Sequence, residues 1–230
     1  MNRKDLLQKY VSEENYKKYL EIGVCDGKTF LALDCTRKIA IDPLFKISKW
    51  DKFKWAFKKP VNLNNVYYKM KSDDFFKSKK LIEKHSPFDL IFIDGLHTFE
   101  ASLGDALNAI RNLSSDGTII FHDCFPPHKA AAIPAGSYKD ARDQNIKGWT
   151  GEWCGDVWKT IFYLKSKYGD SIEIFVLDAD YGLGVLKMNN CELDLDIDIS
   201  LFNRIKILSY EDLVADPENM INLKRKFMID

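Results

Sequence analysis

The sequence predicts an α/β fold: a Rossmann-like, doubly wound, mostly parallel sheet with helices on both faces and an antiparallel strand at its edge. Three observations predict it. Short apolar runs alternate with longer segments whose apolar residues recur every three or four positions, the pattern of βαβ units. The first, second, fourth and fifth runs close on Gly23, Asp42, Asp94 and His122-Asp123, small or polar residues that would lie beyond the carboxyl ends of strands. The last two runs are joined by Asp178-Ala179-Asp180-Tyr181 alone, short enough for a hairpin.

The expected strands are residues 19–23, 38–41, 66–70, 89–93, 118–121, 173–177 and 182–186. Among helices the clearest is 98–113. Its apolar residues Phe99, Leu103, Ala106, Leu107, Ile110 and Leu113 share a face, Thr98 can cap its start, and Ser114-Ser115-Asp116-Gly117 supplies a stop. Further helices are expected at 4–18, 73–84 and 156–168, with Asp156 as a cap. Segment 125–155 has no sustained period and holds three of the seven prolines, so it reads as a long functional loop. Residues 198–230 read as an amphipathic helical extension. With 230 residues, no repeat and no evident linker, a single domain is expected, its core at about 19–187.

Lys+Arg and Asp+Glu both number 34, a balance that argues against a nucleic-acid or membrane-surface partner. No segment has the apolar length of a membrane span or the layout of an export signal. The five cysteines are widely spaced without a C-x-x-C pair, so neither disulfides nor a zinc knuckle is expected, and a cytoplasmic setting is the default.

The chemistry is expected at the strand ends. Glu21-Ile22-Gly23-Val24-Cys25-Asp26-Gly27-Lys28-Thr29 closes the first strand in a turn that should feed a helix. An ordinary strand-to-helix turn is one reading; a P-loop is another, although one residue short between its glycines. A dinucleotide fingerprint is not matched, and an E-x-G-x-x-x-G cofactor turn remains. Asp42, about 20 residues after the turn, is placed to accept from ribose hydroxyls. Ser72, Asp73 and Asp74 follow the third strand, and the two aspartates read either as caps of the next helix or as a contact to an adenine edge. Asp94 and His97 after the fourth strand, with His122 and Asp123 after the fifth, combine carboxylates and imidazoles suited to Mg²⁺ or another divalent ion.

Glu21–Gly27, Ala40-Ile41-Asp42-Pro43, Phe92-Ile93-Asp94-Gly95-Leu96-His97, Phe121-His122-Asp123-Cys124 and Gly155-Asp156-Val157-Trp158-Lys159 together resemble class I S-adenosylmethionine-dependent methyltransferases. Within them, the resemblance is to a group found alongside glycosyltransferases. It implies a seven-stranded sheet with the last strand antiparallel. It also implies O-methylation of a sugar-containing or other small hydroxylated acceptor, possible homo-oligomers, and S-adenosylmethionine contacts at Glu21, Gly23, Gly27, Asp42, Ser72, Asp73 and Asp94. By the same resemblance Asp94 and Asp123 bind metal, with His122 as a substitute where Cys124 replaces an amide or carboxylate, and His97 is the general base. His128, in the long loop, is a second candidate base. Trp149, Trp153 and Tyr138 either stack on a sugar or fix that loop. The alternatives are a nucleotide hydrolase with phosphates on Gly27-Lys28-Thr29 and a non-catalytic cofactor-binding module.

Overall fold

The computed structural model describes residues 1–189 and 192–225; Cys191 and the end of the C-terminal extension lie outside them. In chain order the elements are α1 (Arg3–Glu13), β1 (Lys18–Ile22), β2 (Arg37–Ile41), α2 (Lys49–Lys58), β3 (Val66–Tyr68), α3 (Ser72–Lys77), α4 (Lys79–His85), β4 (Phe88–Ile93), α5 (Phe99–Arg111) and β5 (Leu113–Phe121). There follow α6 (Tyr138–Asp143), α7 (Val157–Tyr168), β6 (Ile172–Leu177), β7 (Leu183–Met188), α8 (Ile199–Lys206), α9 (Tyr210–Ala215), α10 (Pro217–Ile221) and β8 (Leu223–Lys224). The fold is Rossmann-like α/β.

Two compact units divide the chain. The first is Met1–Gly95 with Asn108–Ile120, and the second is Leu96–Leu107 with Phe121–Asp230. In the first, the strands lie in the order β3-β2-β1-β4-β5, and β1 runs parallel to both β2 and β4. Parallel strands covered on both faces need apolar side chains on both. Accordingly Leu20, Ile39, Leu90, Ile91 and Phe92 are all buried, and helix residue Phe75 is buried with them.

In the second unit the order is β7-β6-β8. The expected hairpin is present, with Ile174 opposite Leu186 in antiparallel register. Among the described residues the fold therefore has eight strands where seven were expected. The addition is the two-residue β8, whose Leu223 pairs in parallel with Val176 along the other side of β6. It lies in an extension that was read as helical throughout, whose described residues form three short helices and this strand. Trp158, Ile161, Tyr163 and Leu164 of α7 are buried in this unit, as are Val176, Leu183 and Leu186.

Local departures from the sequence expectations have physical causes. The glycine turn does not feed a helix. One helical turn forms, with Leu31 N–H donating to the Gly27 carbonyl and Leu33 N–H to Thr29, and then the ladder stops. Its next acceptors are taken by distant side chains. Lys38 Nζ donates to the Phe30 and Leu33 carbonyls (both 2.8 Å), Asn62 Nδ2 to Leu31 and Lys59 Nζ to Ala32, while Asp34 N–H turns to Gln8 Oε1. The third contact of Lys38, 2.6 Å to Asn62 Oδ1, completes the satisfaction of a buried ammonium. Replacing Lys38 by methionine is expected to destabilise the fold by about 3 kcal/mol through the buried acceptors it strands. An unchanged urea midpoint for Lys38→Met would contradict this clamp.

Helix 73–84 is broken at Ser78, which is extended (ψ 97°), and both Phe75 and His85 are thereby buried and stack at 6.3 Å. Helix 4–18 stops at Glu13, and Asn15 (φ 56°) turns the chain so that the Tyr16 hydroxyl reaches Thr118 at 2.9 Å. Thr98 caps α5 through its hydroxyl, 3.3 Å from Ala101 N. The expected stop at Ser114–Gly117 is instead the start of β5, where the Tyr16 hydroxyl holds the Asp116 carbonyl. Segment 125–155 includes a 3-10 turn (Lys129–Ala132) and α6. Asp156 makes no side-chain cap and pairs with Lys159 at 3.2 Å. Among the described residues, no helix is long and apolar enough to cross a membrane.

Candidate active site

In the first unit the sheet register aligns the strand ends. Ile22 is level with Ile41 on one side and Ile93 on the other, so Gly23, Asp42 and Asp94 all leave the sheet one residue beyond the same rung. Backbone bonds lock this edge: Gly23 N–H donates to the Ile41 carbonyl and Asp94 N–H to Ile22, both at 2.9 Å. Gly23 has φ 84°, and a Cβ there would lie 1.9 Å from the Asp94 carbonyl oxygen. Only glycine permits this approach of β1 to β4. Gly27 (φ 74°) differs, because a Cβ there would meet the flexible Ile47 side chain at 2.6 Å.

Asp42 ties the turn together. Its Oδ2 accepts from Cys25 N–H (2.7 Å) and its Oδ1 from Leu44 N–H (2.6 Å), which holds Cys25 at φ 47°. Each oxygen keeps a lone pair, so the anchoring role leaves room for a ribose hydroxyl. Ser72 and Asp73 begin α3 with Asp74. None of the three caps the helix, and the two acids lie in its first turn, where they complement the helix dipole. Among the described residues neither Ser72 nor Asp73 is hydrogen-bonded to the glycine turn. Lys28 pairs with the exposed Asp26 at 2.7 Å. With its lysine so engaged and no helix following, the turn lacks the helix N-terminus on which a P-loop holds phosphate.

Glu21 is buried and accepts from the Tyr19 hydroxyl at 2.5 Å. Burial pushes its carboxyl up to about 8; the Tyr19 hydrogen bond opposes that shift and neighbouring Asp94 adds to it. Glu21 is therefore largely a neutral acid near pH 7. The folded state holds a proton that the unfolded chain releases near 4.5, so this residue's contribution to stability falls as pH rises from about 4.5 to about 8. Glu21→Gln keeps the shape and removes the titration. Its stability relative to the parent is expected to rise by several kcal/mol between about pH 5 and about pH 9. Parallel urea midpoints for the two proteins across that range would contradict the buried proton. Asp94 carries an ion pair with Arg3 of α1, 3.0 Å from Nη1 to Oδ2, which no strand-end pattern announces.

The second unit gathers His97, His122 and Asp123. The Asp123 backbone is left-handed (φ 60°), and the segment beyond it is fixed to the β6–β7 hairpin by Cys124 N–H to the Gly182 carbonyl and Phe125 N–H to Tyr181. That fixing brings Asp180 to His122, with 3.5 Å between Oδ1 and Nε2, and sets the Tyr181 ring edge-on to the imidazole. His122 Nδ1 lies 2.8 Å from Asp123 Oδ2, and His97 Nε2 lies 3.3 Å from the same oxygen.

His97 is held at both ends. Its Nδ1 is 2.7 Å from the Trp153 carbonyl, which can only accept, so Nδ1 carries the proton. The His97 carbonyl accepts from Asp156 N–H, and a Cβ at Gly155 (φ 55°) would lie 1.9 Å from that carbonyl oxygen. With Nδ1 protonated, the Nε2 lone pair faces a carboxylate oxygen, an arrangement that needs a positive charge between them. A proton taken up at Nε2 supplies it. Asp123 and the neighbouring His122 fit a metal's donor chemistry, with imidazole nitrogen and carboxylate oxygen as in many transition-metal sites. The thiol of buried Cys154 bonds to Asp123, and burial, with that carboxylate's charge, drives its pKa far up, so it is no thiolate.

His128 stands apart from this cluster. It caps the 3-10 turn through Nδ1, which accepts from Ala131 N–H at 3.2 Å, while Nε2 is 2.7 Å from the Thr150 hydroxyl. Both ring nitrogens serve the loop. Trp153 also fixes the loop: it is buried with Ala135 and Ala141, and its indole N–H donates to the Ile133 carbonyl at 2.9 Å. Trp149 packs against that cluster, and Tyr138 remains exposed. Sequence reasoning did not single out Arg3, Cys154 or Asp180. The short hairpin turn was the available signal for Asp180, and the Gly155-Asp156 pair for the clamp on His97.

Residues 20–124 match the family model described as a methyltransferase domain. No curated protein matches the chain. Among solved structures, the SAH-bound methyltransferase PaMTH1 from Podospora anserina aligns with a TM-score of 0.55 at 17% identity, over 82% of this chain and 78% of that one. Cofactor-bound Rv0187 from MTB aligns at 0.59 and 14% identity, over 82% and 80%. The O-methyltransferase from Bacillus cereus in complex with SAH aligns at 0.51 and 16% identity, over 80% and 79%. The match to the methyltransferase-domain model covers just under half of the chain, and the solved structures show that the chain shares their fold.

Proposed function

We propose that the protein transfers a methyl group from S-adenosylmethionine to a hydroxyl of a small, sugar-containing acceptor, with His97 as the general base. The observation that carries this reading is the 2.7 Å contact of His97 Nδ1 with the Trp153 carbonyl: Nδ1–H donates to it, and Nε2 is left as the reacting nitrogen. When bound, the cofactor would supply an electrophilic methyl on a sulfonium, with the neutral thioether as leaving group. The chain supplies position and proton transfer. Glu21, Gly23, Gly27, Asp42 and Asp94 hold the cofactor, and the level ends of β1, β2 and β4 support that assignment. Ser72 and Asp73 are assigned to the adenine side. His97 Nε2 takes the proton from the acceptor hydroxyl, and Asp123 at 3.3 Å stabilises the imidazolium that forms.

Divalent-metal assistance belongs to the same proposal. Asp94, His122 and Asp123, assigned from the sequence, would hold the ion, which would acidify the hydroxyl and leave the proton to His97 Nε2. Exposed Tyr138, whose hydroxyl reaches the Gly151 carbonyl at 3.1 Å, is the ring available to a sugar face.

The test is mass-spectrometric detection of methyl transfer to a panel of hydroxylated glycosides and matched amines, with and without exhaustive chelation. Products confined to hydroxylated acceptors support the proposal, and loss of turnover on chelation supports the metal. Methylation of amines alone would overturn the acceptor class. Turnover that survives chelation would overturn the metal and leave His97 to act without it.

A further inference from the structure

The zero net charge conceals a basic and aromatic face on α2. Between Lys46 and Lys59 the chain holds six lysines against one acid, Asp51, a local excess of five positive charges. A surface helix normally buries one apolar stripe, but α2 buries no residue at all. Its aromatic side chains divide. Trp55 is half-buried and its carbonyl accepts from Asn62 Nδ2, whereas Trp50, Phe53 and Phe57 are 70%, 65% and 87% exposed.

At about 100° per residue, those three rings fall within about 60° of arc on the helix, with Lys49 on one side and Lys54 and Lys58 on the other. The Trp50 and Phe53 rings stack at 5.8 Å, so the stripe is one continuous surface. Inward, Lys52 lies 3.6 Å over the Tyr67 ring and Ser48 caps the helix with Asp51. The helix is thus fastened to its unit by its other face while its aromatic stripe is left in water. Exposed Leu44 precedes the helix and exposed Leu63 follows it.

We propose that this face docks the protein on an anionic phospholipid surface, with Trp50, Phe53 and Phe57 entering the interface and Lys46, Lys49, Lys54 and Lys58 meeting lipid phosphates. An apolar stripe of Trp and Phe bordered by lysines is the composition of helices that lie in the plane of a membrane interface. Charge complementarity selects an anionic bilayer. A second copy of the chain would bring two strongly positive faces together. Nucleic acid would use the rings for stacking but has no use for the aliphatic Leu44 and Leu63. The expectation of no membrane partner rested on a whole-chain charge that averages over this face.

The test is co-sedimentation of the full chain with vesicles of phosphatidylcholine alone or with about 30% phosphatidylserine, alongside Trp50 emission read as the difference from Trp50→Phe. The expected result is at least tenfold stronger partitioning onto the anionic vesicles, a blue-shifted Trp50 signal, and weaker binding at high salt. Phe53→Asn with Phe57→Asn, and separately Lys49→Gln with Lys54→Gln and Lys58→Gln, should each lower binding about tenfold while leaving circular dichroism and S-adenosylmethionine affinity unchanged. Equal or absent sedimentation with the two vesicle types would overturn the proposal. So would self-association, or binding of single-stranded RNA, that the aromatic pair abolishes while vesicle binding is absent.

Discussion

Replacing His97 by glutamine is expected to lower kcat by about 10²- to 10⁴-fold, the usual contribution of a positioned general base. Affinity for S-adenosylmethionine should stay within about threefold, since the assigned cofactor contacts lie elsewhere on the chain. The ring is positioned from several directions: Nδ1 on the Trp153 carbonyl, Nε2 toward Asp123, and its own carbonyl under Asp156 N–H. Glutamine fills most of the volume and cannot accept the proton. Single-turnover methyl transfer at saturating cofactor is the measurement. A rate within tenfold of the parent would remove His97 from the chemistry, and His128→Gln, expected to leave the rate near that of the parent, is the companion that checks the choice between the two histidines.

Gly23→Ala is expected to be the most damaging single-methyl change in the first unit. A left-handed backbone costs a non-glycine residue about 1–2 kcal/mol. The larger cost is steric: the new methyl meets the Asp94 carbonyl at 1.9 Å, and that atom is backbone just beyond β4, tied down by the bond from Asp94 N–H to the Ile22 carbonyl. Relief requires β1 and β4 to separate where their ends are bonded, so a loss of about 4 kcal/mol or more is expected, together with loss of cofactor binding. Gly27→Ala has a similar φ but meets side-chain atoms of Ile47 and Leu31 rather than backbone, and should cost about 1–2 kcal/mol. Urea unfolding of the two variants separates these cases, and equal losses would contradict the close approach of β1 to β4.

Much of this architecture was legible because parallel strands carry their own signature. Residues 19–23, 38–41 and 89–93 read as strands since both faces are buried, and the acids and glycine that close them stand out against apolar runs. What was not legible depends on contacts between residues far apart in sequence. The helix expected after Gly27 fails because Lys38, Lys59, Asn62 and Gln8 take its backbone partners, and no local window contains them all. β8 is only two residues long and exists by pairing with Val176 and Leu177. Strand-end patterns pointed to His97, Asp94 and Asp123, but the groups that hold them, the Trp153 carbonyl, Gly155 and Arg3, arrive from other parts of the chain. Asp42 shows the two levels in one residue. Its place after β2 was readable, while its hold on the Cys25 and Leu44 amides was not.

The central claim is that the edge formed by Gly23, Asp42 and Asp94 binds S-adenosylmethionine. Titration calorimetry of the folded full chain tests it most directly. Saturable binding of one equivalent in the micromolar range, about −8 kcal/mol, is expected, weakened at least tenfold in Asp42→Ala and retained in His97→Gln. Absence of heat with S-adenosylmethionine and with S-adenosylhomocysteine, from a protein whose circular dichroism shows it folded, would contradict the account. Stabilisation by ATP with Mg²⁺ in its place would point instead to the nucleotide reading of Gly27-Lys28-Thr29.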